Sequence, residues 1–314
     1  MVFGSNNSIM IIVKIIGGMG NQLFQYATGR ALSIRYNTNL KLDLSFFNTP
    51  EYIKVFRLDK FNLKYSIANE SDYIDLKNRD NIPKVIRILE QVGIKTYPYY
   101  KRSHLVENKI LSLNKSKKSL NKNYYIQGWF GDENYFNEYR EILVKEFNAD
   151  NLLSDENKVI QNEIKNSNSI AVHIRRADYL TNSYFKTLPK EYYLCAMKKA
   201  IEETVNPVFY FFTDDIVWVK DQFSNMENVK IMENNSTKDT VSSTTGDIAD
   251  LMLMKSCKHQ IIANSTFSWW GAWLNENHYK KVFYSALWYN DIKAQKQFET
   301  NNNFVPSTWI KVNF

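Results

Sequence analysis

An apolar run from Ile9 to Ile16 stops abruptly at Gly17-Gly18-Met19-Gly20, and this junction constrains the fold more than any other feature of the chain. Beyond it Leu23, Phe24, Ala27, Ala31 and Ile34 keep helical spacing, which predicts a helix from about Asn21 to Tyr36. Leu40 to Leu44 reads as a second strand. A strand, a helix and a strand in succession point to a parallel sheet, because parallel neighbours need a crossover long enough to hold a helix.

The alternation returns in the second half. Ile170 to Ile174, Val208 to Thr213 and Gln260 to Ala263 read as strands, and Tyr124 to Trp129 is an earlier one. Glu191 to Thr204, Asp247 to Ser256 and a segment opening at Phe267 read as helices. Between the halves lies the polar stretch ADNLLSDENKVIQNEIKNSNS, which holds one helix of its own. A chain of 314 residues exceeds what a single core usually fills. The predicted architecture is α/β: two doubly wound, Rossmann-like domains, 1–155 and 156–314, facing a central cleft. The last helix is left open to packing back on the first domain. In open sheets of this kind ligands sit beyond the carboxyl ends of the strands, and every motif below falls at such an end.

Charge narrows the partners. Lys and Arg number 40 against 33 Asp and Glu, a net +7, which suits an anionic partner. The lysines are spread along the chain, Lys115, Lys117, Lys118 and Lys122 excepted, so no nucleic-acid face is expected. Cys195 and Cys257 share neither metal nor redox spacing, and the apolar N-terminal run is short and interrupted by Lys14. A cytoplasmic location is expected, with peripheral contact at the inner face of the plasma membrane left open.

Four strand ends carry candidate chemistry. At the first, Gly18, Asn21 and Gln22 open a helix, where a ligand can approach the backbone and amide side chains can face a cleft. A dinucleotide fingerprint would need a third glycine where Leu23 stands, although Asp43 occupies the place of a ribose-binding acid. A nicotinamide-linked oxidoreductase is therefore the runner-up.

At the second, alternation along a strand sends His173 and Arg175 one way and Arg176 the other. Asp178 can hold one guanidinium, which leaves the other free for an anion such as a phosphate. At the third, Asp214-Asp215 follows Phe211-Phe212-Thr213. These carboxylates could ligate a metal, cap a helix or accept from a guanine base, and hard cations usually demand more oxygen ligands than two. At the fourth, Asn264, Ser265, Thr266 and Ser268 stand between a strand and a helix, the recipe for a phosphate site. Trp269, Trp270 and Trp273 are expected in the core.

Together GGMGNQLFQYATGRAL, VHIRRADY, FFTDD and DLMLMKSCKHQIIANSTFSWWGAWL resemble the family 11 glycosyltransferases, the bacterial α-1,2-fucosyltransferases. They occur in the family's order and span most of the chain; Ala177 stands where the family usually has glycine. The resemblance implies a GT-B fold with GDP-fucose held by the C-terminal domain and a galactose-terminated oligosaccharide or lipid-linked glycan on the acceptor side. It implies inverting, metal-independent transfer to a 2-hydroxyl, with no cofactor. It places Arg175 on the β-phosphate, and His173 with Asp214 or Asp215 on the guanine, with Arg176 also on the donor side. Ser265, Thr266, Ser268 and Asn264 would line the pyrophosphate. Asn21, Arg175 and Asp178 would be nearest the reaction, and Gly18 and Gln22 would face the acceptor. A sugar-binding protein without turnover is the non-enzymatic alternative. The acceptor is not readable from loops 45–125, and the polar stretch 234–247 is expected to act as a lid.

Overall fold

The computed structural model describes residues 9–48, 55–78, 88–89, 103–107, 120, 122–233, 246–300 and 303–314. The expected lid lies almost wholly outside the described residues, as does much of 45–125. The chain divides into two compact units, Met1–Phe147 and Asn148–Phe314.

The division falls a few residues before the expected cut at 155, because the segment preceding the helix is already tied to the second unit. Ser154 accepts from the Asn157 amide and caps the helix Asp155–Asn166, and Ile164 near its end packs on Tyr210 and Phe212. The preceding turn, Asp150–Leu152, is tied the same way, with Asp150 lying 3.5 Å from Lys255 as an ion pair.

The first unit is a parallel sheet of β1 (Met10–Lys14), β2 (Asn39–Asp43), β3 (Ser66–Ile67), β4 (His104–Val106) and β5 (Tyr124–Gln127), in the order β3-β2-β1-β5-β4. Helices α1 (Met19–Arg35), α2 (Glu70–Asn78) and α3 (Arg140–Glu146) flank it. Gly29 lets α1 lie close on the sheet: a Cβ there would sit 2.3 Å from Cγ2 of Val13.

Unlike a surface helix, α1 also buries Gln22, Gln25 and Thr28. Gln25 accepts from the Ile16 amide at 2.9 Å and donates to the Gly128 carbonyl at 3.2 Å, joining the ends of β1 and β5. Gln22 and Gln25 are satisfied from within, whereas the Thr28 hydroxyl has no partner among the described residues.

The second unit is a parallel sheet of β6 (Asn168–Ile174), β7 (Pro207–Thr213), β8 (Val229–Ile231), β9 (His259–Ile261), β10 (Val282–Ser285) and β11 (Ile310–Val312). The order is β11-β10-β9-β6-β7-β8, so the chain starts at the centre, runs out through β7 and β8, then returns and runs out the other way. Helices α4 (Asp155–Asn166), α5 (Lys190–Glu203), α6 (Ile216–Phe223), α7 (Gly246–Ser256), α8 (Thr266–Leu274) and α9 (Ile292–Thr300) complete it.

Alternation along the strands sorts the core into two faces. Ile170, Val172, Ile174, Phe209 and Phe211 pack on Tyr192, Tyr193 and Ala196 of α5 and on Val219 and Phe223 of α6. Ala171, Tyr210 and Phe212 face the other way, onto α4 and onto Leu253 and Met254 of α7. Trp269, Trp270 and Trp273 of α8 are buried, as expected. The last helix is held by the second unit: Gln295 accepts from the amides of Trp288 and Tyr289 and donates to the Ala286 carbonyl. Among the described residues no helix is long and apolar enough to cross a membrane.

Candidate active site

In a doubly wound sheet the ligand crevice opens where the strand order reverses. Here that point lies between β6 and β9, and the candidate residues cluster around it. Arg175 to Asp178 follow β6, Asp214 and Asp215 follow the adjacent β7, and Asn264 to Thr266 join β9 to α8.

The guanidinium of Arg175 donates to Asp178 at 2.8 Å and pairs with Asp214 at 3.0 Å. Burial works against its charge, but the two carboxylates outweigh that and raise its pKa further. Arg176 turns away, as alternation requires. Its Nε donates to Asp215 at 3.2 Å and its guanidinium lies 4.0 Å from the Trp218 ring centroid. The expectation that one arginine stands free is thus corrected: both are paired within the site.

The adjacent aspartates divide their work. Asp214 Oδ1 accepts from the amides of Arg176 at 2.8 Å and Ala177 at 3.2 Å, so this carboxylate moulds the turn after β6. Asp215 caps α6 by accepting from the Trp218 amide at 3.1 Å. Asp214 Oδ1 and both Asp215 oxygens are thus engaged within the protein, and Asp214 Oδ2 faces Arg175 at 3.0 Å. Among the described residues no three His, Cys, Asp or Glu side chains gather as a metal site would require.

At the fourth strand end, Ser265 caps α8 by accepting from the Phe267 amide at 3.3 Å. Ser268 is fully buried and donates to the carbonyls of Ala263 and Ser265, so it braces the turn and does not line a pyrophosphate. The half-buried Thr266 hydroxyl makes no hydrogen bond to any described residue. Asn264 donates to the carbonyls of Lys186 at 2.7 Å and Trp288 at 3.0 Å, while its Oδ1 is buried without a partner among the described residues.

Tyr179, to which sequence reasoning gave no role, joins the two halves of the site. Its hydroxyl donates to the Asn264 carbonyl at 3.0 Å, and its ring centroid lies 5.9 Å from the Arg175 guanidinium. Arg175 and the turn at Asn264 are therefore one side chain apart. An aromatic hydroxyl closing VHIRRADY was the only signal for it.

His173 packs 5.3 Å from the Phe267 ring, and its Nδ1 is buried with no hydrogen-bond partner among the described residues. Burial, and then the charge of Arg175, push its pKa down to about 3. The ring is therefore neutral at pH 7. The unfolded chain takes up this proton near pH 6.5 whereas the fold resists it, so stability falls as pH drops from about 6.5 towards 3. Urea titrations of the wild type and His173→Asn should differ in slope over that window by about 1.4 kcal/mol per pH unit. Parallel curves would remove this assignment.

In the first unit, Gly18 caps α1 in an extended conformation, and a Cβ built there would meet nothing within 4 Å. The half-buried Asn21 side chain makes no hydrogen bond to any described residue. Gln22 corrects its expected role. It is fully buried, donates to the carbonyls of Gly17 and Val55, and accepts from the Arg57 amide. It anchors a loop and cannot reach an acceptor.

Asp43 removes the support for a nicotinamide cofactor. Its carboxylate is completely buried, accepts from the Tyr125 hydroxyl at 2.7 Å and the Ser45 amide at 2.9 Å, and pairs with Lys77 at 3.6 Å. No ribose can reach it.

Comparison with known proteins identifies the family. The family model of Glycosyl transferase family 11 matches residues 8–313. The chain is 30% identical to the alpha-1,2-colitosyltransferase of Escherichia coli, covering 96% of this chain and 99% of that protein. It is also 30% identical to the O-antigen biosynthesis glycosyltransferase WbnK of Escherichia coli, over 87% and 93% of the two chains. Among solved structures, the fucosyltransferase NodZ from Bradyrhizobium shares the fold with a TM-score of 0.52 at 13% identity, over 84% of this chain and 92% of that one. The two parallel, doubly wound units are accordingly of the GT-B type, and the chain belongs to glycosyltransferase family 11.

Proposed function

We propose that this glycosyltransferase moves L-fucose from GDP-β-L-fucose to the 2-hydroxyl of a galactoside, with inversion and without a metal ion, during assembly of a surface polysaccharide such as O-antigen. The observation that carries this reading is the set of groups met at one reversal of strand order. A guanidinium, a helix N-terminus and two buried polar atoms without described partners, His173 Nδ1 and Asn264 Oδ1, converge there. Such a set suits a nucleoside diphosphate.

In the proposed step the acceptor oxygen bonds to C1 of the sugar as the bond from C1 to the β-phosphate oxygen breaks. GDP leaves with the electron pair from the face of C1 opposite the acceptor, and the hydroxyl proton is released to water on the acceptor side. Arg175 and the first turn of α8 stabilise the charge that develops there. The hydroxyl of Thr266 adds a donor, His173 meets the nucleotide, and Asn21 orients the acceptor. Arg176, Asp214 and Asp215 act by holding the turn. Asp178, already bonded to Arg175, positions that guanidinium and is not the base.

The colitosyltransferase relative motivates a second donor. Colitose is L-fucose without its 3-hydroxyl, so GDP-colitose fits the same diphosphate site. The purified chain is to be assayed with each donor and a panel of β-galactosides, and product linkage read by NMR. The expected result is an α-1,2 product whose rate is unchanged by EDTA. Activity abolished by EDTA and restored by Mn²⁺ would refute the metal-free step. Binding of GDP without transfer from either donor would favour the non-catalytic alternative.

A further inference from the structure

The first unit has a reversal of its own, between β1 and β5. Gly17-Gly18 and Asn21 follow β1, and Trp129 stands at the end of β5. All seven tryptophans of the chain are described, and Trp129, 53% accessible, is the one that is exposed.

The exposure of this indole is built in. Its amide donates to Glu107 at 2.9 Å, the Gly131 amide donates to the same carboxylate at 3.3 Å, and Tyr135 bonds the Glu107 carbonyl at 3.1 Å. Phe130, the next residue, is fully buried and holds a φ of +55° to let the chain turn. Neighbours on both sides are fixed while the large apolar ring is left outside. An indole held out this way offers a large, rigid apolar face to a ligand.

What flanks the ring names the chemistry. A Cβ at Gly17 would lie 3.3 Å from Cζ3 of Trp129 and 2.9 Å from Nδ2 of Asn21. The ring edge and the amide therefore border the same glycine, and the space over Gly18 beside them is open. A flat apolar platform beside a hydrogen-bonding amide matches a pyranose, which has a C–H face and hydroxyls at its rim. Galactose suits it best, because its axial 4-hydroxyl leaves H3, H4 and H5 together on one face.

We infer that Trp129 is the platform on which the acceptor galactose stacks, with the Asn21 amide taking a rim hydroxyl. The inference rests on the reading of the chain as a galactoside-directed transferase. Trp129 is a specificity-determining residue; it does not touch the bond that breaks.

The test pairs kinetics with ligand-observed NMR. Trp129→Ala should raise the acceptor KM by about 10-fold or more, the factor that 1.4 kcal/mol of lost contact produces. The donor KM and the Kd for GDP should stay within about twofold, and Trp129→Phe should recover most of the loss. Saturation transfer to methyl β-galactoside should be strongest at H3, H4 and H5 in the wild type and vanish in Trp129→Ala. An unchanged acceptor KM, or a rise in the donor KM instead, overturns the inference and in the second case assigns the ring to the nucleotide. If the wild type binds GDP but neither transfers to nor binds any galactoside, the galactoside reading itself fails, and the platform with it.

Discussion

Replacing Arg175 with alanine is expected to lower kcat by about 10²–10³-fold, the usual cost of one preorganised donor at a developing negative charge. The side chain sits where β6 meets the reversal of strand order, anchored by Asp178 and Asp214. Its loss should leave the fold intact, because Asp214 still accepts from the amides of Arg176 and Ala177. Arg175→Lys should recover little, since an ammonium cannot span two partners as a planar fork does. Steady-state kinetics at saturating donor, with a matched thermal melt, separate chemistry from stability. Near-normal turnover in Arg175→Ala would remove the residue from the step.

The largest stability effect is expected at Asp43. Burial pushes its pKa up, but the Tyr125 and Ser45 hydrogen bonds and the charge of Lys77 outweigh it, so the group is held below the ordinary carboxylate range. Lys77 lies between the rings of Tyr73 at 4.1 Å and Tyr125 at 4.5 Å. Asp43→Ala leaves a cation and a hydroxyl without their partner, and breaking such a buried pair costs about 3–5 kcal/mol. A fall in Tm of roughly 10 °C should follow. A depressed carboxylate contributes stability above its unfolded pKa, about 3.9, and loses it as pH falls through the folded value. The gap between Asp43→Ala and wild type should therefore narrow in acid. A loss below about 1 kcal/mol at pH 7 would show that the network is incidental.

Much of the architecture was legible because strands and helices obey different spacings. Ile170 to Ile174, Val208 to Thr213 and the helix after Gly20 were all visible as periodic runs, and their turns placed the motifs at strand ends. What could not be read was partnership. Arg176, Asp214, Asp215, Ser268 and Gln22 are the right residue types for ligand contact, yet each is committed to the protein itself. Those commitments depend on β6 and β7 being neighbours, and on neighbouring helix positions pointing about 100° apart. Asn21 and Gln22 therefore cannot both face the same space. Trp129 was hidden for a similar reason, because a strand pattern predicts alternation and not which ring will be left outside.

Asn264 has a consequence for how the second unit responds to strain. Its amide grips the carbonyls of Lys186, from the segment after β6, and Trp288, from the segment after β10, while its own carbonyl receives Tyr179. Three loops are cross-braced through one residue, so strain on any one of them is shared by the other two. A substitution in any of the three would be felt at the turn that opens α8.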